Sequence, residues 1–246
     1  IVQGAPRRLR PNGWLVLEHG FDQGDAVREL MSAAGMVDTA TRPDFAGHDR
    51  VSLGRFPSHL FDIAWEGGDL AVRHLHNTIS DYAHLLRWLS TPEVLEWYEG
   101  RDTAFDLATI LAEYGPGGRH ERGGTVAGII ELDGDPIGYV QFSELDDPED
   151  AAAFDLEDGR GVWSLDLYLG RPDLFSRGFG RAVCRSAAEY FIADRHATDV
   201  VILPYVENAR AIAAYRSAGF VGDHVVREHE VHEGVMRDAL RLHFRP

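Results

Sequence analysis

The residues with the clearest chemical potential lie between positions 162 and 182. From Trp163 to Leu169, large apolar residues alternate with polar ones, which predicts a β-strand that projects the carboxylate of Asp166 from its polar face. Gly178 and Gly180 follow, and a helical pattern begins there. Glycines let the backbone approach a ligand closely, and a helix N-terminus offers unpaired N–H groups, so this order predicts an anion-binding site. Paired glycines by themselves more often mark an ordinary turn.

The composition is that of a globular protein. The chain has 246 residues with 44% hydrophobic content, enough for one large domain or two modest ones. Its apolar runs are shorter than the roughly 18 residues of a membrane span, and no signal-like segment opens it, so we predict a soluble cytoplasmic protein that binds no membrane. The single cysteine, Cys184, falls inside a predicted helix and is expected to be a buried structural thiol.

The charge is strongly negative and unevenly placed. The formal net charge is −16, and residues 1–56 contain seven arginines and seven acids, so the whole excess lies in residues 57–246. Such a field opposes nucleic acid and favours a cationic partner, although surface acids can also serve solubility alone. Residues 144–158 hold eight acids and no basic residue. This segment is predicted to be a solvated loop or, beside a ligand site, a collector of polycations.

Hydrophobic periodicity predicts a chain of mixed strands and helices. Pro57 and the Gly67-Gly68 pair indicate a junction, and residues 115–124 read as a polar loop. Asp133-Gly134 marks a hairpin. Strands are predicted at 14–18, 37–41, 50–55, 70–74, 126–132, 137–142, 163–169, 199–205, 220–227 and 235–244, and helices at 23–34, 78–89, from 92, 105–113, 181–194 and 208–218.

Two further groups of residues invite a chemical interpretation. Glu96, Trp97, Tyr98 and Glu99 could stack on a sugar ring while pairing with an amine, or they could be a helix end that covers the core. His229 and His232 lack the spacing of a helical zinc site and lie near a hairpin, so no metal is predicted. The pair His74 and His76 is likewise expected to be structural or solvated.

The first part of the chain has a resemblance of its own. Leu9–Arg28 and Asp49–Arg55 resemble the last part of the glutamine N5-methyltransferases that modify peptide release factors. The glycine-rich S-adenosylmethionine loop and the Asn-Pro-Pro-Tyr motif of that family do not occur in this sequence. We therefore predict that residues 1–56 form a small βαβ, methyltransferase-like fragment without catalytic activity, and that residues 57–69 are a linker.

The remainder carries motifs of another superfamily. Leu89–Tyr98, Gly134–Gln141, Leu165-Asp166 before Gly178-Phe179-Gly180, and Asn208–Phe220 resemble, in this order, the GCN5-related N-acetyltransferases (GNAT), and within them the aminoglycoside 6′-N-acetyltransferases. The resemblance implies an α/β (α+β) GNAT fold over residues 70–246, with a mixed, mostly antiparallel twisted sheet flanked by helices. It also implies acetyl-coenzyme A as the cofactor and a cationic small-molecule amine as the substrate.

The resemblance assigns roles to individual residues. Asp166 would orient the substrate ammonium and accept its proton, and Tyr215 would protonate the departing thiolate of coenzyme A. The backbone amides of the glycine loop, with two arginine side chains, would hold the pyrophosphate. The residues expected to bind the coenzyme are Leu167, Leu169, Ser176, Arg177, Gly178, Phe179, Gly180, Arg181, Ala182 and Asn208. Those expected to bind the substrate are Glu96, Trp97, Tyr98, Glu99, Gln141, Glu144 and Asp166.

The sequence departs from the family pattern at two places. Leu203-Pro204 stands where the aminoglycoside enzymes often carry Asp-Pro, with Glu207 the nearest acid, and Phe175 stands where many superfamily members place arginine or glutamine. An acetyltransferase of siderophore hydroxylysine is the second interpretation, although that branch usually has histidine at position 166. A non-catalytic module that binds coenzyme A or a protein is the third. The sequence allows a monomer or a homodimer.

Overall fold

A computed structural model of the chain describes residues 1–2, 5, 9, 12–76 and 78–245. The chain divides into two compact units, Ile1–Leu60 and Phe61–Pro246. Arg10 and Pro11, which belong to the methyltransferase-like stretch, lie outside the described residues. Among the helices of the described part, none combines the length and apolar character that crossing a bilayer requires.

The first unit is a small sheet with one helix. Its elements are β1 (Trp14–Glu18), α1 (Gly24–Ala33), β2 (Val37–Pro43) and β3 (Asp49–Arg55). Both β1 and β2 pair antiparallel with β3, which lies between them. The predicted strands and helix are thus present, and the extra strand predicted at 37–41 is β2, at one edge of the sheet, but the antiparallel pairing of β1 with β3 differs from the parallel pairing of a βαβ unit. Met31 of α1 and Met36 are buried against this sheet, together with the apolar residues Leu15, Leu17 and Val27.

The second unit contains a larger sheet. Its strands are β4 (Phe61–Ile63), β5 (Leu70–His74), β6 (Val126–Leu132), β7 (Asp135–Glu144), β8 (Val162–Leu169), β9 (Asp199–Ile202), β10 (Val221–His232) and β11 (Val235–Phe244). The order in the described part is β10-β11-β9-β8-β7-β6-β5-β4. The pair β8–β9 is parallel, and the other neighbouring pairs are antiparallel, which confirms the predicted mixed, mostly antiparallel sheet.

Helices cover both faces of this sheet. They are α2 (Ile79–Trp88), α3 (Pro92–Leu95), α4 (Leu107–Tyr114), α5 (Arg119–Arg122), α6 (Pro148–Ala153), α7 (Phe179–Arg195) and α8 (Ala209–Ala218). On one face Leu85 and Trp88 of α2 pack with Tyr139 and Tyr168 of the sheet. On the other face Phe191 of α7 lies 4.4 Å, ring to ring, from Phe142 of β7. The alternation of β7 and β8 therefore separates two cores, and Asp166 shares a face with Tyr168.

The parallel pairing of β8 with β9 is short, and it leaves part of one edge of β8 uncovered. β9 pairs with β8 only through Val162–Ser164, whereas β7 pairs with β8 as far as Leu169. Beyond Ser164, the edge of β8 that faces away from β7 has no strand partner among the described residues. Its backbone groups are therefore available to an extended ligand.

Three local predictions need correction. Phe61–Ile63 form a strand, β4, inside the segment expected to be a linker, because pairing with β5 offsets the weak local signal beside Pro57. Residues 119–122 form a helical turn inside the predicted loop 115–124. The acidic segment contains α6, which Asp147 caps by accepting a hydrogen bond from the Glu149 N–H.

Candidate active site

The second unit contains a cleft of about 1180 Å³ beside the open edge of β8. It is lined by residues from β7, β8, the loop before α7, α8 and β10, and by the segment after α3. One end is basic and rich in backbone amides, whereas the other end is acidic and aromatic. These two ends suit different ligand groups.

The amide-rich end is formed by the glycine loop. Gly178 adopts φ +94° and begins α7 without any side-chain cap. A Cβ atom at Gly180 would meet no heavy atom of the described residues within 4 Å, so this glycine borders open space. The helix thus presents uncapped N–H groups and the positive end of its dipole to the cleft, as an anion requires.

Basic side chains surround this end of the cleft. Arg177 and Arg181, which the sequence analysis expects to bind the coenzyme, line it. Arg210 of α8 also lines it and lies over the ring of Phe175 at 4.5 Å. The sequence analysis did not predict Arg210 as a residue of the cleft. Phe175 could have indicated it, because an aromatic ring in place of the usual charged residue can hold a guanidinium group.

Most of the other residues predicted to bind the coenzyme also line the cleft. Leu167, Leu169, Ser176 and Phe179 do so, and so does Asn208, whose side chain caps α8 by accepting a hydrogen bond from the Ala211 N–H. Ala182 does not line the cleft, and its N–H donates to the Gly178 carbonyl at 3.0 Å. Its amide is therefore used inside the helix.

Asp166 is the central acid of the opposite end. It is partly buried on β8, and the Gln141 amide Nε2 donates to its Oδ2 at 3.4 Å. Burial raises the pKa of Asp166 to about 7, and the negative charges of Glu99 and Glu230 add to the rise, whereas hydrogen bonds from the Leu167 N–H and from Tyr98 oppose it. Such a carboxyl group can both bind a cation and take up a proton near neutral pH.

Tyrosine rings form the floor around Asp166. Tyr98 packs edge-on against Tyr168, with the ring centroids 4.6 Å apart, and Tyr139 lies 5.5 Å from Tyr168. Burial raises the pKa of each of these hydroxyls well above its ordinary value, so all three remain protonated. Tyr98 and Trp97 both line the cleft, Tyr98 as a buried residue and Trp97 as a half-buried one.

Besides Asp166, the cleft is lined by the carboxylates of Glu93, Glu99, Asp150 and Glu230, and those of Glu99 and Glu230 act on the pKa of Asp166. Glu99 lies in the left-handed region at φ +65°, and desolvation of its carboxyl group raises its pKa. Glu230 comes from β10 and was missed by sequence reasoning, because a register shift between Val226 and Glu230 decides which way its side chain points. A bulge of this kind has no strong local sequence signal.

Tyr215 of α8 also lines the cleft. Burial raises the pKa of its hydroxyl well above the ordinary value, and the nearby Cys184 and Asp166 add to that effect. The group is therefore a protonated phenol at neutral pH. Cys184 itself is fully buried, as predicted.

Some predicted residues lie outside the cleft lining. Glu96 and Glu144 do not line it, although the Glu96 carbonyl accepts a hydrogen bond from His232. His74 and His76 lie on and after β5, away from the cleft lining. The described residues contain no cluster of three or more side chains suited to holding a metal ion.

In this cleft the open edge of β8 and the N-terminus of α7 lie with a set of carboxylates. A family model described as an acetyltransferase (GNAT) domain matches residues 78–228, more than half of the chain. The chain therefore belongs to the GNAT acetyltransferase family.

Solved structures give the same fold. Aminoglycoside acetyltransferase AAC(6′)-Ib in complex with coenzyme A is 26% identical, with a TM-score of 0.56 over 72% of this chain and 94% of that chain. Its complex with ribostamycin and coenzyme A matches at 25% identity and TM-score 0.57, over 72% and 93%. RimJ of Mycobacterium smegmatis, in complex with CoA-disulfide, shares the fold at 15% identity and TM-score 0.59, over 75% and 86%.

The first unit has different relatives. Release factor glutamine methyltransferase of Xylella fastidiosa (strain Temecula1) is 58% identical over 57 residues, which are 23% of this chain and 21% of that protein. The protein of the same name from Neisseria gonorrhoeae is 52% identical over 60 residues, 24% of this chain and 22% of that protein. The chain thus spans about a fifth of the length of these curated relatives.

Proposed function

We propose that this chain transfers an acetyl group from acetyl-coenzyme A to a primary amine of a cationic small molecule, and that the acceptor is an aminoglycoside modified at its 6′-amine. Such a modification would give resistance to the antibiotic. The observation that carries the proposal is the convergence of the Glu99, Asp166 and Glu230 carboxylates on one cleft whose opposite end is built for an anion.

The residues at the basic end fit coenzyme A. The uncapped amides at the start of α7, with Arg177, Arg181 and Arg210, offer hydrogen bonds and charge to a pyrophosphate. The unpaired edge of β8 at Leu167 and Leu169 offers backbone groups to an extended amide-bearing arm. When bound there, acetyl-coenzyme A supplies an activated acetyl thioester. Holding both reactants in one cleft makes the reaction effectively unimolecular.

The residues at the acidic end act on the acceptor. An aliphatic amine is mostly protonated at neutral pH and must lose a proton before it can act as a nucleophile. Asp166, with a pKa of about 7, can pair with the ammonium when ionised and then take up its proton. Gln141 orients Asp166, and the Tyr139 hydroxyl orients Gln141 by donating to its Oε1 at 3.0 Å. Trp97 offers a ring face to a sugar.

Tyr215 completes the set of proton-transfer groups. Its raised pKa keeps the phenol protonated, so it can donate a proton to a thiolate that leaves within the cleft. Asp166 thus removes a proton on the acceptor side, and Tyr215 supplies one on the coenzyme side.

The proposal is tested by measuring thiol release from acetyl-coenzyme A with kanamycin, ribostamycin, tobramycin and neomycin as acceptors. Hydroxylysine serves as the acceptor for the siderophore alternative. We expect release with at least one aminoglycoside and none with hydroxylysine. No release with any aminoglycoside would refute the antibiotic assignment, and tight coenzyme A binding without turnover on any amine would support a non-catalytic module.

A further inference from the structure

The turn between β4 and β5 brings a tryptophan beside the glycine loop. Ile63 of β4 pairs with Leu70 of β5, so residues 64–69 connect the two strands. The sequence analysis assigns these residues to a linker, and the roles proposed above do not use them. The indole ring of Trp65 lies 4.7 Å, centroid to centroid, from the ring of Phe179, the first residue of α7.

The same indole ring lies against the backbone of the glycine loop. A Cβ atom built on Gly178 would lie 3.5 Å from Cη2 of Trp65, whereas a Cβ atom on Gly180 would meet no heavy atom of the described residues within 4 Å. Gly178, Phe179 and Gly180 line the cleft, and Trp65 is not among the described residues that do so. An effect of Trp65 on a ligand in the cleft must therefore pass through the glycine loop.

Two sets of contacts hold the turn in place. Phe61 of β4 lies 5.2 Å, ring to ring, from Tyr190 in the second half of α7, so the strand that leads into the turn packs on the same helix. The Asp69 N–H donates to Oδ1 of Asp133 at 2.8 Å, and the Asp133 N–H donates to the Asp69 carbonyl at 2.8 Å. Trp65 is therefore held at the start of α7 by contacts that do not involve the glycine loop.

The glycine loop depends on its surroundings for its conformation. Ser176 and Gly178 both lie in the left-handed region, at φ +60° and φ +94°, and α7 begins without a side-chain cap. Residues in such conformations keep them only where neighbouring groups fix them. A ring that packs against Gly178 reduces the number of conformations that the loop can adopt. Binding an anion to the loop amides then costs less conformational entropy.

We propose that Trp65 is a positioning residue for acetyl-coenzyme A, which holds Gly178 and Phe179 so that the loop amides keep the arrangement that binds the pyrophosphate. Trp65 does not contact the coenzyme in this scheme. The proposal rests on the part of the proposed function that places the pyrophosphate at the glycine loop, and it does not depend on the identity of the acceptor amine.

The test compares two ligands on Trp65→Ala. Coenzyme A carries the pyrophosphate, and pantetheine carries the arm without it. We expect the Kd of coenzyme A, measured by calorimetry, to rise at least about fivefold, with the Kd of pantetheine, measured by ligand-observed NMR, nearly unchanged. Trp65→Phe keeps an aromatic ring on Phe179 and should bind coenzyme A within about twofold of the wild type. Trp14→Ala, which removes an exposed tryptophan of β1, is the matched control and should not change either Kd.

The outcomes separate this proposal from the placement of the pyrophosphate. Gly180→Val fills the space beside the loop without touching Trp65. If Gly180→Val weakens coenzyme A binding and Trp65→Ala does not, the placement stands and the proposal is overturned. If neither variant weakens binding, both are wrong. An equal loss of coenzyme A and pantetheine affinity in Trp65→Ala would show a general disturbance of the cleft and would also overturn the proposal.

A second arm uses only the wild-type protein. If Trp65 favours the loop conformation that binds the coenzyme, bound coenzyme equally favours the packed position of Trp65, because such coupling is reciprocal. Saturating coenzyme A should therefore slow amide hydrogen exchange in residues 64–69 as well as in the glycine loop. Unchanged exchange in residues 64–69 would overturn the proposal even where Trp65→Ala fails to fold.

Discussion

Asp166 is the side chain whose chemistry depends most on its surroundings. A free aspartate has a pKa of about 4, whereas burial, with Glu99 and Glu230 nearby, raises the pKa of Asp166 to about 7. A nearby ammonium group would stabilise the ionised form of such a buried carboxyl group. The same group can then accept the proton that the amine must lose.

Replacing Asp166 with asparagine tests this role. The amide keeps the shape of the side chain but can neither pair with an ammonium nor accept its proton. We expect turnover on the best aminoglycoside to fall by at least about tenfold, or about 1.4 kcal/mol of transition-state stabilisation, with nearly unchanged coenzyme A affinity. Steady-state kinetics and coenzyme titration measure the two quantities. Asp194→Asn, an exposed change in α7, is the control, and an equal loss of turnover and coenzyme affinity in Asp166→Asn would make Asp166 structural.

The raised pKa also predicts how stability depends on pH. Between the unfolded pKa of about 4 and the folded value of about 7, the folded state holds a proton on Asp166 that the unfolded state has lost. The contribution of Asp166 therefore becomes less favourable as pH rises through this range. Asp166→Asn removes the penalty, so its melting temperature relative to the wild type should be higher at pH 8 than at pH 5. A difference that is the same at both values would contradict the raised pKa.

At the scale of elements, the glycine loop and the start of α7 should allow a substitution that weakens ligand binding without lowering the stability of the fold. Gly180 borders open space, so a larger side chain there would disturb little of the protein but would occupy the proposed anion site. We expect Gly180→Val to change the melting temperature by less than about 3 °C and to weaken coenzyme A binding at least about tenfold. Thermal unfolding and calorimetry check this, with Ala193→Val in the exposed part of α7 as the control. Unchanged coenzyme affinity would place the pyrophosphate elsewhere.

Local sequence signals predicted these central elements for physical reasons. The alternation in β8, the paired glycines and the apolar stripe of α7 each involve residues that are only a few positions apart. Each pattern can therefore be recognised in the sequence itself. The strand β4 has only three residues and is stabilised by its pairing with β5. No local sequence pattern indicates this pairing. The short helix α6 was not predicted, because the acidic composition of the segment is typical of a solvated loop, although Asp147 and Pro148 are a typical helix start.

At the scale of the whole molecule, the site depends on contacts that are distant in sequence. Glu99 and Glu230 reach the same cleft from opposite halves of the second unit, and Arg210 stacks on Phe175 from another helix. The sequence was enough to place Asp166 on the polar face of β8, because its strand alone positions it. Sequence reasoning missed Glu230 and Arg210, because a bulge in β10 and a ring on a separate loop decide where these side chains lie.

The division of the chain makes a prediction about where the activity resides. Every residue that lines the cleft belongs to the second unit, and we propose that residues 70–246 form the acetyltransferase domain and that residues 1–56 contribute no catalytic group. A variant that begins at Pro57 keeps β4 and should retain kcat/KM for the best acceptor within about threefold. The measurement is thiol release by the two chains side by side. A folded but inactive shorter chain would show that the first unit is required.

The most direct measurement of the central claim is product analysis. Incubation with acetyl-coenzyme A and kanamycin, followed by mass spectrometry and NMR of the antibiotic, should yield a product with one acetyl group on the 6′-amine. Asp166→Asn should yield much less of the same product. Unmodified kanamycin and intact acetyl-coenzyme A after prolonged incubation with folded protein, repeated with the other aminoglycosides, would contradict the account.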